Sequence, residues 1–115
     1  MTKDEILNEF KNISTVNERN AGAQMVGDRD FGRFVYKDNK IALIEILHEW
    51  LLNNNKPSYQ RAALRMIEDL KIYELKKDVY NLRNEIIKTR KPPFLKYDLE
   101  VVERTISALE KEDNQ

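Results

Sequence analysis

The spacing of apolar residues between Pro57 and Lys91 constrains the fold more than any other feature of the chain. Each half of this segment has apolar residues at the spacing of one helical face. At 100° per residue the two faces point about 150° apart, so one straight helix would bury opposite sides at its two ends. We therefore predict a break at residues 71–73, between two antiparallel helices that share one apolar seam. The two apolar sets are Tyr59, Ala63, Met66, Ile67 and Leu70, then Leu75, Val79, Leu82 and Ile86.

Two segments before this one also have helical patterns. Thr2 and Glu5 form a capping-box signature, which predicts a short first helix ending at about Ser14. The segment 40–53 is apolar on nearly its whole circumference, so we expect a central helix that is buried on most sides. Its interruptions form one narrow polar stripe, composed of Glu45, His48 and Glu49.

Prolines divide the second half of the chain. Pro57 suits the first turn of a helix, whereas Pro92-Pro93 forces the preceding helix to stop. Beyond that stop we expect Asp98 to cap a last helix. Residues 111–115 are expected to fray at its end.

The region 15–39 lacks a clear period. Its three glycines fall within eleven residues and are mixed with asparagine and aspartate, which predicts a glycine-containing loop. Within it, Asp28 could cap a short helical segment that carries Phe31, Phe34 and Val35. A short strand over 33–36 is the alternative, although the chain offers no second strand to pair with it.

Composition narrows the function. A chain of 115 residues is expected to be one domain, and its twenty acidic and twenty basic residues cancel. This balance argues against a dedicated binder of nucleic acid or anionic membrane. The chain has no cysteine, no apolar run of the roughly 20 residues that span a bilayer and no signal-peptide pattern at residues 1–5. We expect a cytoplasmic protein with no membrane segment.

Motifs for chemistry are weak. Glu45 and His48 have the spacing used in di-iron bundles, but such a centre needs the motif twice and His48 is the single histidine. The Asp28-Arg29-Asp30 cluster could support acid-base or magnesium chemistry, although turn and cap propensity explains its aspartates equally well. No glycine matches a phosphate-binding loop. We therefore predict no catalytic residue, no metal site and no cofactor.

A second stripe on the helix from Glu74 to Arg90 is the better candidate for binding another protein. Its residues lie about 100° from the apolar set, and aromatic residues and arginine are enriched where binding energy is concentrated. The alternative is that Tyr80 and Ile87 pack on a neighbouring helix. With charged residues of the predicted loop and of the polar stripe, the predicted partner-binding set is Lys76, Tyr80, Arg83, Ile87, Arg29, Asp30, Arg33 and His48.

The chain also contains a weak internal repeat. A shift of 39 residues superposes Ala63, Arg65, Ile67 and Leu70 on Val102, Arg104, Ile106 and Leu109, and a shift of 35 superposes Ile44, Leu47 and Leu51 on Val79, Leu82 and Ile86. Helices that recur at such intervals are typical of stacked α-hairpins. An irregular bundle is the alternative, since short amphipathic helices align easily.

Residues 57–64, PSYQRAAL, with Leu70 closing one helix and Val79 and Leu82 opening the next, resemble a HEAT-type repeat. The match covers about 35 residues well and lacks the turn aspartate of that family, where Lys71-Ile72-Tyr73 stands. The resemblance implies a small protein-binding scaffold.

Together these observations predict an all-α domain over residues 1–115. It would have four to five short helices stacked as antiparallel α-hairpins, either a small HEAT-like α-solenoid or an irregular bundle. We expect a non-enzymatic protein-binding module, most concretely a small bacterial inhibitor of the immunity type that neutralises a toxin domain by binding it. The alternatives are a nucleic-acid-binding module that uses the basic segment 56–91 and a homodimeric structural protein.

Overall fold

The computed structural model describes residues 1–16 and 21–113, and the regular structure in these ranges is helical. This confirms the all-α prediction, with six α-helices in the described ranges instead of four to five. A 3-10 turn at Tyr73–Leu75 precedes the fifth helix. The helices are α1 Lys3–Val16, α2 Ala21–Asp38, α3 Lys40–Leu52, α4 Pro57–Leu70, α5 Lys76–Thr89 and α6 Phe94–Asp113.

The helices form three successive hairpins, α1–α2, α3–α4 and α5–α6, whose two members pack on each other. The hairpins stack side by side, so that α1, α3 and α5 form a first layer and α2, α4 and α6 form a second layer. First-layer helices begin at residues 3, 40 and 76, and second-layer helices begin at residues 21, 57 and 94. The structural repeat is therefore 36 or 37 residues. The slab measures 38 × 35 × 20 Å, and its thickness equals two helix diameters of about 10 Å.

The break predicted at residues 71–73 is confirmed, but the predicted pairing of its two helices is wrong. α4 and α5 belong to different hairpins and make few direct contacts, because α3 and α6 each pack against both of them. The two apolar faces point in different directions since α4 lies in the second layer and α5 in the first. The hairpin partner of α4 is the preceding helix α3, and the hairpin partner of α5 is the following helix α6.

The end of α4 explains the break. Lys71 adopts a left-handed conformation with φ 56°, and the Ile72 N–H donates to the Ile67 carbonyl at 3.2 Å. Ile67 and Ile72 are both fully buried. This is the Schellman arrangement, in which a residue of positive φ ends the helix and an apolar contact closes over it.

The loop predicted over 15–39 is wrong for most of its length. α1 continues to Val16 and residues 21–38 form α2, which also excludes the strand considered over 33–36; residues 17–20 lie outside the described part. Gly32 shows why the pattern misled. A Cβ at this buried position would lie 2.8 Å from Met66 Sδ on α4, so the glycine permits close helix packing instead of marking a turn.

Burial tests the internal repeat. The shift of 39 residues places Ala63 on Val102 and Ile67 on Ile106, which are all buried, and relates the neighbouring helices α4 and α6. The shift of 35 relates α3 to α5 correctly, but the helix starts at residues 40 and 76 give 36. With a shift of 36 the paired positions are all buried: Leu43 with Val79, Ile46 with Leu82, and Trp50 with Ile86.

An aromatic cluster fills the core between the first two hairpins. The Phe10 ring meets the Phe31 and Trp50 rings edge to face, at centroid distances of 4.9 and 5.0 Å. Trp50 stacks on Tyr59 of α4 at 5.2 Å. One cluster therefore joins α1, α2, α3 and α4, and α3 is central as predicted. The expectation that α3 is buried on most sides is wrong, because Ile41 and Leu52 are 77% and 62% exposed.

The helices begin where the capping and proline residues of the sequence predict, with one exception. The capping box is confirmed: the Thr2 N–H donates to Glu5 Oε1 at 3.1 Å, and the Glu5 N–H donates to Thr2 Oγ1 at 3.2 Å. The bond from the Thr2 backbone N–H to the Glu5 carboxylate, and then the Thr2 side chain, lower the pKa of Glu5. Pro57 lies in the first turn of α4 as expected. α6 continues to Asp113, and residues 114 and 115 lie outside the described part, so the fraying of 111–115 stays a prediction.

The exception is Asp98, which is not the cap of α6. The helix begins at Phe94, and Asp98 lies one turn inside it with 2% of its surface exposed. Its carboxylate accepts hydrogen bonds from Arg61 Nε at 2.7 Å and from Arg90 Nη1 at 2.5 Å. A buried carboxylate needs such partners, and the two arginines come from α4 and from the residue that follows α5.

The network extends from Asp98 to the end of α3. Arg90 Nη2 donates to Gln60 Oε1 at 2.8 Å, and the buried Gln60 amide donates to the Leu51 carbonyl at 3.1 Å. Leu51 lies in the last turn of α3, where carbonyls lack partners within the helix. A single polar chain therefore links the second hairpin to the third.

Candidate functional site

An open groove of about 380 Å³ crosses the outer side of the first layer. It follows α3, with the start of α1 on one side and the 3-10 turn and the start of α5 on the other. Ile44 and Leu75 provide its apolar surface. Its lining residues are Lys3, Ile44, Glu45, His48, Glu49, Glu74, Leu75 and Asp78.

The groove is acidic. Four carboxylates and one lysine line it, together with His48. Lys3 Nζ lies 2.6 Å from Glu49 Oε1 and 4.0 Å from Glu45 Oε2. The hydrogen bond to Glu49 raises the pKa of Lys3, which keeps the lysine charged. Lys3 is shared by Glu45 and Glu49, so it cannot balance both carboxylates, and negative charge remains on the α1 side of α3.

On the α5 side, one ion pair and one contact of His48 join neighbouring hairpins. Lys40 Nζ lies 2.9 Å from Glu74 Oε2, and this hydrogen bond raises the pKa of the lysine and lowers that of the carboxyl. His48 Nδ1 lies 2.8 Å from Asp78 Oδ2. The polar stripe of α3 thus faces α1 and α5, and these contacts position it.

The Glu45 and His48 pair does not extend to a metal centre in the described residues. Among the side chains that the structure describes, no group of three histidine, aspartate or glutamate residues could hold a metal ion. His48 instead uses one ring nitrogen to contact Asp78, as described above.

The structure separates the predicted partner-binding residues into three places. His48 lies in the acidic groove. Arg33 joins α2 to α4, because its Nε and Nη2 donate to Asp69 at 2.6 and 2.7 Å, and Asp30 lies 3.4 Å from Arg33 Nη1. The side chain of Arg29 lies outside the described part.

The third place is α5. Arg83 Nε lies 3.4 Å from Glu103 Oε1 of α6, Tyr80 is half-buried against the core, and Ile87 is 54% exposed. Lys76 is half-buried. The alternative for this stripe, packing on a neighbouring helix, therefore holds for Tyr80 and not for Ile87.

Some residues of the groove were missing from the sequence prediction, although their separation along the chain offered a way to find them. Lys40 pairs with Glu74, 34 residues further along the chain and close to one repeat length, whereas His48 and Asp78 are 30 residues apart. Because the repeat relates α3 to α5, opposite charges about one repeat apart are expected to meet across the two helices.

The second layer has its own pocket of about 490 Å³, lined by Arg65, Glu68, Asp69, Lys71 and Arg104. Its charges largely pair internally, since Arg104 Nε donates to Glu68 at 3.2 Å and Arg33 binds Asp69. The pocket therefore has no strong charge of one sign, in contrast to the groove of the first layer.

Among the helices in the described part of the chain, none combines the length and apolarity needed to cross a bilayer. No protein-family model, no curated protein and no solved structure matches the chain.

Proposed function

We propose that the protein is a non-enzymatic protein-binding module whose acidic groove receives a basic segment of its partner. The observation that supports the proposal is the combination of four carboxylates and one lysine with the apolar side chains Ile44 and Leu75. Lysine and arginine have long apolar stems and charged ends, so a basic segment complements both parts of the groove. Charge complementarity of this kind favours fast and selective association.

The surface extends beyond the groove along α3. Ile41 stands three, four and seven residues before Ile44, Glu45 and His48, so it lies on the same helical face, and it is 77% exposed. A large exposed apolar residue at the edge of a charged groove suits the centre of an interface, where apolar contacts concentrate binding energy.

The most concrete version of the proposal is a small bacterial inhibitor of the immunity type. A toxin domain that acts on nucleic acid needs a basic surface to contact phosphates, and an acidic groove on a protein without net charge could cover that surface locally. The HEAT-like resemblance agrees with a binding scaffold and belongs to the same proposal, as does the cytoplasmic location.

The nucleic-acid alternative is less favoured because the arginines of segment 56–91 are largely engaged. Arg61 and Arg90 bind the buried Asp98, and Arg83 lies beside Glu103. Phosphate contacts would have to compete with these carboxylates.

Affinity capture of the tagged protein from its host lysate, at low and at moderate salt, tests the proposal. We expect one partner protein that survives moderate salt. Glu45→Lys reverses a charge in the groove and should abolish capture, whereas Glu100→Lys makes the same change on an exposed part of α6 and should not. Recovery of nucleic acid that washes away with salt, or equal capture by both variants, would contradict the proposal.

A further inference from the structure

In each of the first two hairpins, one side is covered by the hairpin that follows it. In the third hairpin the same side has no following hairpin in the described part of the chain. The side of α3 that meets α5 includes Lys40, Ile44 and Leu47, since Lys40 pairs with Glu74 and Ile44 lines the groove beside Leu75. In the 36-residue repeat, Lys40, Ile44, Leu47 and Leu51 correspond to Lys76, Tyr80, Arg83 and Ile87. The corresponding side of α5 therefore points to where a fourth hairpin would stack.

We call this side of the third hairpin the open end, composed of Tyr80, Arg83 and Ile87 on α5 with Leu99, Glu103 and Glu110 on α6. The α6 residues recur at the spacing of one helical face, and the contact between Arg83 and Glu103 places the two helices on one surface. In the described part of the chain, α5 packs mainly on α3 and α6, so no further helix covers this surface.

The open end exposes apolar surface that lowers the solubility of an isolated chain. Ile87 is 54% exposed, and Tyr80 and Leu99 are half-buried at the edge of the core. End repeats of stacked folds need a polar outer surface to remain soluble. An exposed isoleucine on the same surface as two half-buried apolar residues fits an interface better than a polar end repeat.

The charges of the open end indicate which partner covers it. The basic residue Arg83 lies on α5, whereas the acidic residues Glu103 and Glu110 lie on α6. A two-fold axis across the open end can place α5 of one copy against α6 of the other, so that opposite charges meet twice. The surface is complementary to itself, and a chain with twenty acidic and twenty basic residues does not repel a second copy.

We propose that two copies of the chain associate through their open ends, with α5 of each packed on α6 of the other. Ile87 then enters the apolar contact, and Arg83 of each copy faces Glu103 of the other. The acidic groove lies on the outer side of the first layer, so the dimer would present two grooves.

Sedimentation equilibrium of the full chain over a concentration series tests this proposal. We expect a mass that rises from 13.7 kDa to twice that value. Ile87→Glu should weaken association by about tenfold or more, which corresponds to about 1.4 kcal/mol, because it buries a charge. Leu52→Glu is the matched control, since Leu52 is 62% exposed on α3 and lies outside the open end, and it should dimerise as the natural sequence does.

A charge exchange tests the arrangement of the two copies. Arg83→Glu alone and Glu103→Arg alone should each be monomeric, because each variant has a single sign of charge at both positions. An equimolar mixture should regain the dimer, since each variant then meets the opposite charge. A chain that stays at 13.7 kDa, a dimer insensitive to Ile87→Glu or a mixture that does not associate would overturn the proposal; circular dichroism confirms that each variant is folded.

Discussion

Replacing Asp98 by alanine should be among the most destabilising single changes in this protein. The carboxylate is buried and binds two arginines whose side chains are themselves only 20% and 12% exposed, Arg61 and Arg90. Removing one partner of a buried ion pair leaves the other charge uncompensated and costs about 3–5 kcal/mol. Since domains have a total stability of about 5–15 kcal/mol, this loss is a large fraction of the whole.

Urea unfolding followed by circular dichroism measures the effect. With a slope of about 1–3 kcal/mol/M, we expect Asp98→Ala to lower the midpoint by roughly 2 M without a change in slope. Arg104→Ala is the matched control, because it removes an ion pair with Glu68 whose arginine is exposed. Exposed pairs contribute at most about 1 kcal/mol, so its midpoint should move little.

A loss below about 1 kcal/mol for Asp98→Ala would refute this reasoning, since it would mean that the arginines find solvent or other partners freely. A further variant tests the cause. If the loss comes from unpaired charge, the triple substitution Arg61→Met, Arg90→Met and Asp98→Leu should recover part of the stability, because apolar replacement of a buried ion network is often neutral or stabilising. Recovery is incomplete because the buried Gln60 Oε1 loses its donor Arg90.

Three further predictions concern local features. Lys71→Gly should stabilise the protein by about 0.5–1 kcal/mol in urea unfolding because glycine adopts positive φ without strain; an unchanged midpoint would contradict this. Gly32→Ala should destabilise by about 1–3 kcal/mol, since its Cβ meets Met66 Sδ, and should be neutral or better in a Met66→Ala background; equal losses in both backgrounds would contradict the close contact. The bond from Lys40 lowers the pKa of Glu74 in the folded protein, so its stabilisation is present above the unfolded value of about 4.3 and is lost as the pH falls through the folded value. Stability should therefore fall in that acid range less for Glu74→Gln than for the natural sequence, and parallel pH profiles would contradict the assignment.

Local signals predicted where helices begin and end. Proline removes a backbone donor and restricts its predecessor, so Pro57 and Pro92-Pro93 marked helix boundaries correctly. The change of apolar face located the break at Lys71 without any glycine there. These features depend on neighbours within one or two turns, and such neighbours are visible in the sequence.

Features that depend on distant residues were not predictable in the same way. Gly32 has the local character of a loop residue, and only its distance to Met66 explains it within a helix. Asp98 has the character of a helix cap, and its role comes from two arginines that are 37 and 8 residues away. The partner of α5 was misassigned because periodicity shows which face of a helix is buried and not which helix covers it.

The candidate site was predictable only in part, because most of its residues come together through the repeat and not through a local sequence pattern. His48 stood out because it is the single histidine and lies in the narrow polar stripe of an apolar helix, whereas Lys3, Glu74 and Asp78 have no distinguishing local pattern. Their position became interpretable once the repeat related α1, α3 and α5. Side chains that face an adjacent repeat can be found from the repeat length, but the sequence similarity between these repeats is too weak to give that length to within one residue.

The position of Trp50 makes the protein's fluorescence a selective reporter. It is the single tryptophan of the chain, 9% exposed, and its ring contacts Phe10 and Tyr59 in the first two hairpins. The third hairpin contains no indole. Emission that shifts before far-UV ellipticity falls would mean that the first hairpin detaches early. Ellipticity that falls while emission is unchanged would mean that α5 and α6 melt first, so two optical probes suffice to follow the order in which the stack comes apart.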